Sequence, residues 1–294
     1  MHIQTPTKII NSKAKSIFQA MLMSDLHLEY TDDNFLKFPV VAPILMLAGD
    51  IGRPDILSLQ KFLLAQCQRF EHIFYVAGNH CFYEGEYEDR LRQLRQLASL
   101  DPRIHFLHKN TYLLPNKVRI LGATLWTHIP LKTALKIGGE HYDYRAISVT
   151  DKSKMSDQTV KITRPLTVND TNKWHAEEHA WLLQEIEKAR INDEHVVIIT
   201  HHAPSRRDTC SEDDKMLGHE DAYVNDHEAD CVDPVRLWMY GHTHLSLEMT
   251  VNSTKIISNQ YGYEGDVSTF RPNMQITLYD DKNVTVTDSH AFQF

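Results

Sequence analysis

The stretch IFQAMLMSDLH, residues 17–27, joins a short apolar run directly to an aspartate and a histidine, Asp25 and His27. Four more apolar runs end in the same way: Pro43–Ala48 before Gly49-Asp50, Ile73–Ala77 before Gly78-Asn79-His80, Val196–Thr200 before His201-His202, and Leu237–Tyr240 before Gly241-His242-Thr243-His244. Apolar runs of about 4–8 residues bounded by Gly, Pro or Asp are typical of buried strands. The sequence therefore predicts five strands that each end in polar residues.

Helical patterns separate these runs. Apolar residues recur at helical spacing in Asp55–Phe70, Glu86–Leu100 and Thr171–Arg190. Alternating strands and helices predict an α/β fold, in which ligands bind beyond the carboxyl ends of the strands. The tail lacks helical patterns, and we expect a second, antiparallel region in it, made of strands Lys255–Ser258, Gln275–Tyr279 and Val284–Asp288.

The length of 294 residues and the absence of a linker predict a single domain over residues 1–294, with residues 1–16 as a flexible N-terminal tail. Two segments interrupt the periodic pattern. Residues 128–170 are rich in Lys, Thr and Asp, and residues 205–236 carry ten carboxylates. Each segment is either a lid over the strand ends or a solvated loop, and the sequence leaves both alternatives open.

Composition excludes several function classes. The net charge of −8, from 31 Lys and Arg against 39 Asp and Glu, disfavours a polynucleotide partner, because binding to phosphate backbones depends on basic residues. No apolar run has the roughly 20 residues of a membrane span, so we expect no membrane partner. Four cysteines without a disulfide-like spacing favour a reduced, cytoplasmic compartment.

The residues at the strand ends have the chemistry of metal ligands. Asp25 and His27 are two positions apart and are expected on one side of an extended segment, and His242 and His244 repeat that spacing. Carboxylate oxygen and imidazole nitrogen suit zinc, manganese and iron. Gly49 precedes Asp50 and allows a sharp backbone turn there.

Together these motifs resemble the calcineurin-like metallophosphoesterase superfamily, in the form of its small microbial members. The resemblance covers residues 17–262 and rests on Ser24-Asp25-Leu26-His27, Gly49-Asp50, Gly78-Asn79-His80, Thr200-His201-His202-Ala203-Pro204 and Gly241-His242-Thr243-His244. It implies a four-layer α-β-β-α sandwich of two mixed β-sheets flanked by helices. It also implies a dinuclear metal site at the carboxyl ends of the strands.

The resemblance also implies a role for each residue of the site. It assigns Asp25, His27 and His244 to one metal, Asn79, His201 and His242 to the other, and Asp50 to both. It assigns His80 either to protonation of the leaving oxygen or to stabilisation of the phosphorane-like charge. The cofactors are two divalent ions: manganese, iron or zinc. One position departs from the family pattern, since Cys81 stands where many members carry an acidic residue, and so no carboxylate is apparent to orient His80.

Other polar residues have less definite roles. In the first insertion, Tyr144 and Arg145 are candidate substrate contacts, or else parts of a surface turn. His128 is a weaker candidate for reaching the site, and His202 is expected in the packing. Histidines 175, 179, 219 and 227 are expected to be solvated.

These residues predict an enzyme, a metal-dependent phosphohydrolase that cleaves small phosphoesters, either phosphodiesters or nucleotide-like phosphates, with a hydroxide activated by two metals. One alternative is a nuclease of the same superfamily, which the net charge disfavours. Another is a non-catalytic scaffold that keeps the fold, which the intact ligand set disfavours.

Overall fold

The computed structural model of the protein describes residues 14–31, 36–155, 158–263 and 269–289, apart from the side chains of residues 152–160. Fifteen strands lie in the described residues: β1 (Ser16–Met23), β2 (Ile44–Leu47), β3 (His72–Tyr75), β4 (Gly85–Glu86), β5 (Ile104–Phe106), β6 (Asn110–Leu114), β7 (Val118–Ala123), β8 (Ile147–Met155), β9 (Gln158–Pro165), β10 (His195–Thr200), β11 (Val235–Tyr240), β12 (Glu248–Val251), β13 (Thr254–Ser258), β14 (Met274–Tyr279) and β15 (Val284–Asp288). The α-helices there are α1 (Leu57–Cys67), α2 (Tyr87–Ala98), α3 (Leu131–Glu140), α4 (Asp143–Ala146), α5 (Val168–Ile191) and α6 (Glu212–Met216).

Two mixed sheets of six strands form the centre of the fold. The first has the order β15-β14-β1-β2-β3-β5, and the second has the order β12-β13-β11-β10-β7-β6. In the first sheet β1, β2, β3 and β5 are parallel, and in the second β7, β10, β11 and β13 are parallel. The carboxyl ends of the parallel strands carry the predicted metal ligands, which confirms the α/β prediction.

Side-chain alternation along the strands produces four layers. Phe18, Ala20 and Leu22 of β1 pack between the two sheets, whereas Met21 and Met23 face α1 and α2. On the other side, β10 and β11 pack against α5. Both faces of each sheet are thus covered, which confirms the predicted four-layer sandwich.

The tail strands complete the two sheets. β14 pairs antiparallel with β1 and β15, as expected, but β13 pairs parallel with β11, so the prediction of a separate antiparallel region was wrong. The connection from β11 to β13 runs through the antiparallel strand β12 and contains no helix. The lack of a helical pattern in the tail therefore did not indicate a region separate from the two central sheets.

Both insertions have structure of their own. Residues 128–170 contain α3, α4 and a hairpin of β8 and β9 that pairs with β4. Residues 205–236 contain α6 and bury Cys210, Val224 and Cys231 against the second sheet and α5. Residues 1–13 of the expected tail lie outside the described residues, and β1 already begins at Ser16. None of the helices in the described ranges is both long and apolar enough to cross a membrane.

Candidate metal centre

All five strand-end loops meet at one edge of the sandwich. Asp25 and His27 follow β1, Asp50 follows β2, Asn79 and His80 follow β3, His201 follows β10, and His242 and His244 follow β11. Six of the seven predicted ligands are buried, and His244 is half-buried. Polar side chains withdrawn from water to this degree need partners or a bound ion.

The first cluster consists of Asp25, His27 and His244. The Nε2 atoms of His27 and His244 lie 3.1 Å apart, and His244 Nε2 lies 3.7 Å from Asp25 Oδ1. The Nδ1 atom of His27 faces Glu29 Oε1 at 3.1 Å. A carboxylate on one ring nitrogen fixes the tautomer and leaves the other nitrogen free to bind a metal. Two imidazoles and a carboxylate therefore converge on one point.

The second cluster consists of Asp50, His201 and His242, with Asn79 beside it. His201 donates from Nδ1 to the Ala48 carbonyl at 2.9 Å, so that Nε2 faces Asp50 Oδ2 at 3.3 Å and Asn79 Oδ1 at 2.9 Å. His242 Nε2 is buried and has no hydrogen-bond partner. Asp50 also groups with His27 and His80, and it thereby links the two clusters.

The residues present fit a pair of divalent cations. The donor set of imidazole nitrogen, carboxylate oxygen and one amide oxygen is that of Zn²⁺, Mn²⁺ or Fe²⁺. An orphaned buried nitrogen on His242 is the mark of a ligand whose partner is an ion. Burial alone would raise the pKa of Asp50, but the charges of His201 and His80 hold it well below its usual value.

Backbone conformation differs from the extended geometry expected at these ligands. Five of the seven have positive φ: Asp25 (55°), His27 (46°), Asp50 (50°), His242 (75°) and His244 (51°). Left-handed backbone is costly for residues other than glycine and gathers at functional sites. The expectation of an extended segment was wrong, because the chain turns at these five positions and aims their side chains inward.

Two glycines allow the closest approaches in the site. A Cβ on Gly78 would lie 2.0 Å from Asp50 Oδ1, and a Cβ on Gly49 would lie 2.2 Å from His201 Nδ1. Gly49 also has a φ of 90°. Gly49 therefore allows the predicted backbone turn before Asp50, and its lack of a side chain leaves the space that the His201 ring occupies.

His80 lies beside the clusters and has three polar partners. Its backbone nitrogen donates to Asp50 Oδ1 at 3.0 Å, its Nδ1 lies 3.0 Å from Glu29 Oε1, and the Tyr263 hydroxyl lies 3.0 Å from its Nε2. Burial alone would lower the pKa of His80, but the charges of Asp50 and Glu29 raise it above its usual value. The environment favours a protonated ring.

Glu29 is the carboxylate that the sequence appeared to lack at Cys81. Its side chain is buried and reaches both His27 and His80. The alternation Asp25-x-His27-x-Glu29 was a visible signal for it. Cys81 itself is buried against the Tyr75 hydroxyl, and burial raises the pKa of its thiol, so it is unreactive.

Asp143, in the first insertion, also belongs to the site. It accepts from Asn79 Nδ2 at 2.9 Å and from the Tyr83 hydroxyl at 2.6 Å, and it pairs with His141 Nδ1 at 3.2 Å. The amide nitrogen of Asn79 is thereby occupied, and its oxygen faces His201. The sequence did not point to Asp143, because its neighbours Tyr144 and Arg145 seemed better suited to bind a phosphate.

Tyr144 and Arg145 are not brought to the metal ligands. The Tyr144 hydroxyl lies 3.1 Å from Thr171 Oγ1 on α5, and Arg145 donates to the Glu140 carbonyl. Neither lines the cleft over the clusters, whereas Tyr142, two residues before Tyr144, does. His128 is exposed and does not line it either.

The remaining histidines differ from expectation. His175 and His227 are buried and His179 is half-buried, so the prediction that they are solvated was wrong for this group. The acidic segment packs against α5, and its own His227 stacks on His175 and His179 of that helix. His219 is half-buried and lines the cleft, while His202 is packed against Trp126, as expected.

A cleft of about 770 Å³ opens over the two clusters. Both insertions line it, and the lining residues outside the ligands include Tyr83, Glu140, His141, Tyr142, Ser211, Asp213, Asp214, His219, Tyr223 and Tyr263. Within the described part of the chain no Lys or Arg lines the cleft. Its walls thus combine aromatic rings with carboxylates, and cations bound at its floor would be its main positive charge.

Comparisons with known proteins agree with this geometry. A family model described as calcineurin-like phosphoesterase matches residues 19–246. An uncharacterized protein, L509, from Acanthamoeba polyphaga mimivirus is 30% identical over 278 residues, which cover 87% of this chain and 95% of that protein.

Solved structures share the fold at low sequence identity. A phosphopantetheinyl hydrolase from Mycobacterium tuberculosis has a TM-score of 0.58 and 14% identity, over 83% of this chain and 89% of its own. A dimetal phosphatase from Danio rerio has a TM-score of 0.52 and 15% identity, over 90% of this chain and 94% of its own. These two structures establish the likeness of the fold.

Proposed function

The chain belongs to the calcineurin-like phosphoesterase family, a class of metal-dependent phosphoric ester hydrolases, and from that premise we propose that it hydrolyses small phosphoesters, nucleotide-like phosphodiesters ahead of phosphoproteins. The observation that carries the proposal is the cleft itself. Its floor is a set of candidate metal ligands, and its described walls hold tyrosines and carboxylates without Lys or Arg.

The proposed ligand assignment follows the two clusters. Asp25, His27 and His244 would hold one divalent ion, Asn79, His201 and His242 would hold the other, and Asp50 would serve both. Bound divalent ions supply Lewis acidity toward a phosphoryl oxygen and a lowered pKa for a bound water. The donor set suits manganese, iron or zinc.

His80 is the proposed proton donor. Glu29 accepts the Nδ1 proton, so the ring presents Nε2 to the cleft, and the charges of Asp50 and Glu29, which raise the pKa of His80, favour a proton on Nε2. On ester cleavage Nε2 gives its proton to the leaving oxygen. The neutral ring then accepts a hydrogen bond from the Tyr263 hydroxyl, which already lies 3.0 Å from Nε2.

The walls of the cleft favour a small substrate with an aromatic group. Tyr142 and Tyr263 are about half exposed and line the cleft, so their rings are available to stack on a base. Asp213, Asp214 and Glu140 on the same walls repel a chain of phosphates beyond the first one or two. A short ester needs to contact only the floor of the cleft, where the candidate metal ligands lie, in order to bind.

A turnover screen with added manganese tests this proposal. The panel contains cyclic nucleotides, dinucleotides, nucleotide-sugar pyrophosphates, small phosphomonoesters, a phosphopeptide, duplex DNA and long RNA, with His80→Ala as the matched inactive control. We expect the small nucleotide-like diesters to be cleaved fastest. Preferential cleavage of DNA or RNA would replace the proposal with a nuclease, and no turnover on any substrate would replace it with a scaffold.

A further inference from the structure

A second group of histidines lies outside the cleft, between α5 and the acidic segment 205–236. His175 and His179 are four residues apart on α5, which places them on one face of the helix. His227 approaches them from the acidic segment, and one ligand atom from each of the three residues lies within 4.8 Å of the others. None of the three lines the cleft.

Their hydrogen bonds leave one nitrogen of each ring available. His175 donates from Nδ1 to the Trp126 carbonyl at 2.7 Å, which leaves the lone pair on Nε2. His179 Nε2 lies 2.7 Å from Asp230 Oδ2, which leaves Nδ1. A carbonyl or carboxylate on the opposite nitrogen is the usual support of a metal-binding histidine.

The third ring carries an unsatisfied atom. His227 is 6% exposed, and its Nε2 is buried without a hydrogen-bond partner. A buried polar atom of this kind calls for an explanation such as a bound ion. Asp230 lies nearby, with Oδ2 3.7 Å from His227 Nδ1, and offers a carboxylate to the same group.

The rings are in the protonation state that a metal needs. Burial and the charge of neighbouring histidines lower the pKa of His175 to about 4 and that of His227 to about 3. Both imidazoles are therefore neutral at neutral pH and do not have to lose a proton to bind. The rings of His179 and His227 lie face to face with centroids 4.0 Å apart, so a shared ion requires one of them to rotate until both lone pairs meet.

We propose that His175, His179 and His227 form a further divalent-cation site, of the Zn²⁺ type, separate from the catalytic pair. Three imidazoles with a neighbouring carboxylate match the ligands of zinc in proteins. Because His227 belongs to the segment that supplies Asp213, Asp214 and Tyr223 to the cleft, an ion at this site fastens that wall of the cleft to α5.

Metal counting on the whole chain tests the site. Protein saturated with Zn²⁺ and passed through a desalting column should retain about three ions per chain, and His179→Ala should retain about two. His179 is the partly exposed member, so we expect its replacement to disturb the packing least of the three. His219→Ala, at a half-buried histidine of the cleft wall outside both ligand sets, is the matched control and should retain three.

A spectroscopic measurement tests the same site without relying on His179→Ala alone. Titration of the metal-free wild type with Co²⁺ should give visible absorption from three equivalents, and His175→Gln should lack the third. Two equivalents in the wild type, or a third equivalent that survives in both variants, would overturn the site. Phosphodiester turnover at saturating manganese, expected within a few-fold of wild type in His179→Ala, shows separately whether the catalytic pair works.

Discussion

Glu29 determines which nitrogen of His80 faces the cleft. It accepts the Nδ1 proton of His80 and also touches Nδ1 of His27, so a single buried carboxylate supports both a proposed proton donor and a proposed ligand. Two side chains that share one partner are expected to respond together when it is replaced. The first two predictions separate their contributions.

The first prediction concerns His80. His80→Ala should keep the metal content of the wild type, because none of the proposed ligand contacts uses this side chain. Its turnover of an ester with a poor leaving group should fall by about 10²–10⁴, the usual contribution of a positioned acid. Turnover close to wild type, with the metal content unchanged, would show that His80 is not the acid.

The second prediction concerns Glu29. In Glu29→Gln one of the two anions that raise the pKa of His80 is lost while Asp50 remains, so this pKa falls. The protonated form of His80 is the active one. As pH rises, Glu29→Gln should therefore lose activity at a lower pH than the wild type does. The pH profile of kcat at saturating manganese measures this shift, and Glu29→Asp should restore it in part. An unmoved alkaline limb in Glu29→Gln would contradict the positioning role.

The third prediction concerns Gly78. A methyl group there would fall 2.0 Å from Asp50 Oδ1, so Gly78→Ala should displace the carboxylate that joins the clusters and weaken the binding of both ions. Gly139→Ala is the matched control, since a Cβ at Gly139 has no atom within 4 Å. Isothermal titration measures the Mn²⁺ affinity of the two variants. Equal affinities would show that ion binding does not depend on the position of the Asp50 carboxylate.

At the scale of elements, α5 carries an unusual buried acid. Glu178 is fully buried, accepts from the Trp126 backbone nitrogen at 3.2 Å, and has no partner for Oε1. Burial raises its pKa to about 7, although the Lys109 charge and the hydrogen bond of Trp126 oppose the shift. A carboxyl of this kind is tolerated while protonated and becomes costly once it ionises.

The fourth prediction follows from the sign of that shift. The folded pKa lies above the unfolded one, so the stabilising contribution of Glu178 is complete below about pH 4.5 and is lost as pH rises through 7. Relative to the wild type, Glu178→Gln should therefore gain stability with pH, on the order of 3 kcal/mol between pH 4.5 and 9. Urea unfolding of both proteins at several pH values measures this difference in stability. A difference that does not change with pH would contradict the prediction.

The elements also show where sequence reasoning works. Apolar runs and helical spacing predicted the central strands and α1, α2 and α5, because burial imposes those periods. α5 begins at Val168, earlier than expected, since Thr167 and Asp170 form the capping box there. The hairpin of β8 and β9 was missed, because its Lys- and Thr-rich strands lack the apolar alternation of a half-buried strand.

The residues that meet in the two clusters were predictable one by one, but their surroundings were not. Motifs at strand ends gave Asp25, Asp50 and their partners, since the topology of a parallel sheet brings carboxyl ends together. Asp143 and the histidines of α5 depend on how two insertions fold back on the sheets. Such long-range contacts leave no periodic signal in the chain.

At the scale of the whole molecule, charge controls which substrates approach. The chain carries a net charge of −8, and exposed carboxylates such as Asp213 line the cleft. An anionic ester therefore meets repulsion before it reaches the proposed ions. Repulsion between exposed charges is screened by salt over about 10 Å at 0.1 M ionic strength.

The fifth prediction uses that screening. Asp213→Asn should raise kcat/KM for a phosphodiester about two- to three-fold at low ionic strength, and the gain should disappear at high salt. Asp193→Asn, at an acid with a 97% exposed side chain outside the cleft lining, is the matched control and should change little. A gain that persists in 1 M salt would indicate a local contact in place of long-range charge.

The central claim is that two ions at the converged strand ends carry out phosphoester hydrolysis. Stepwise addition of Mn²⁺ to metal-free His179→Ala, with turnover of a small phosphodiester followed at each step, tests it most directly. We predict little turnover with the first equivalent, a rise over the second, and a plateau at two ions per chain. Full turnover at one equivalent, or none at two, would contradict the dinuclear account.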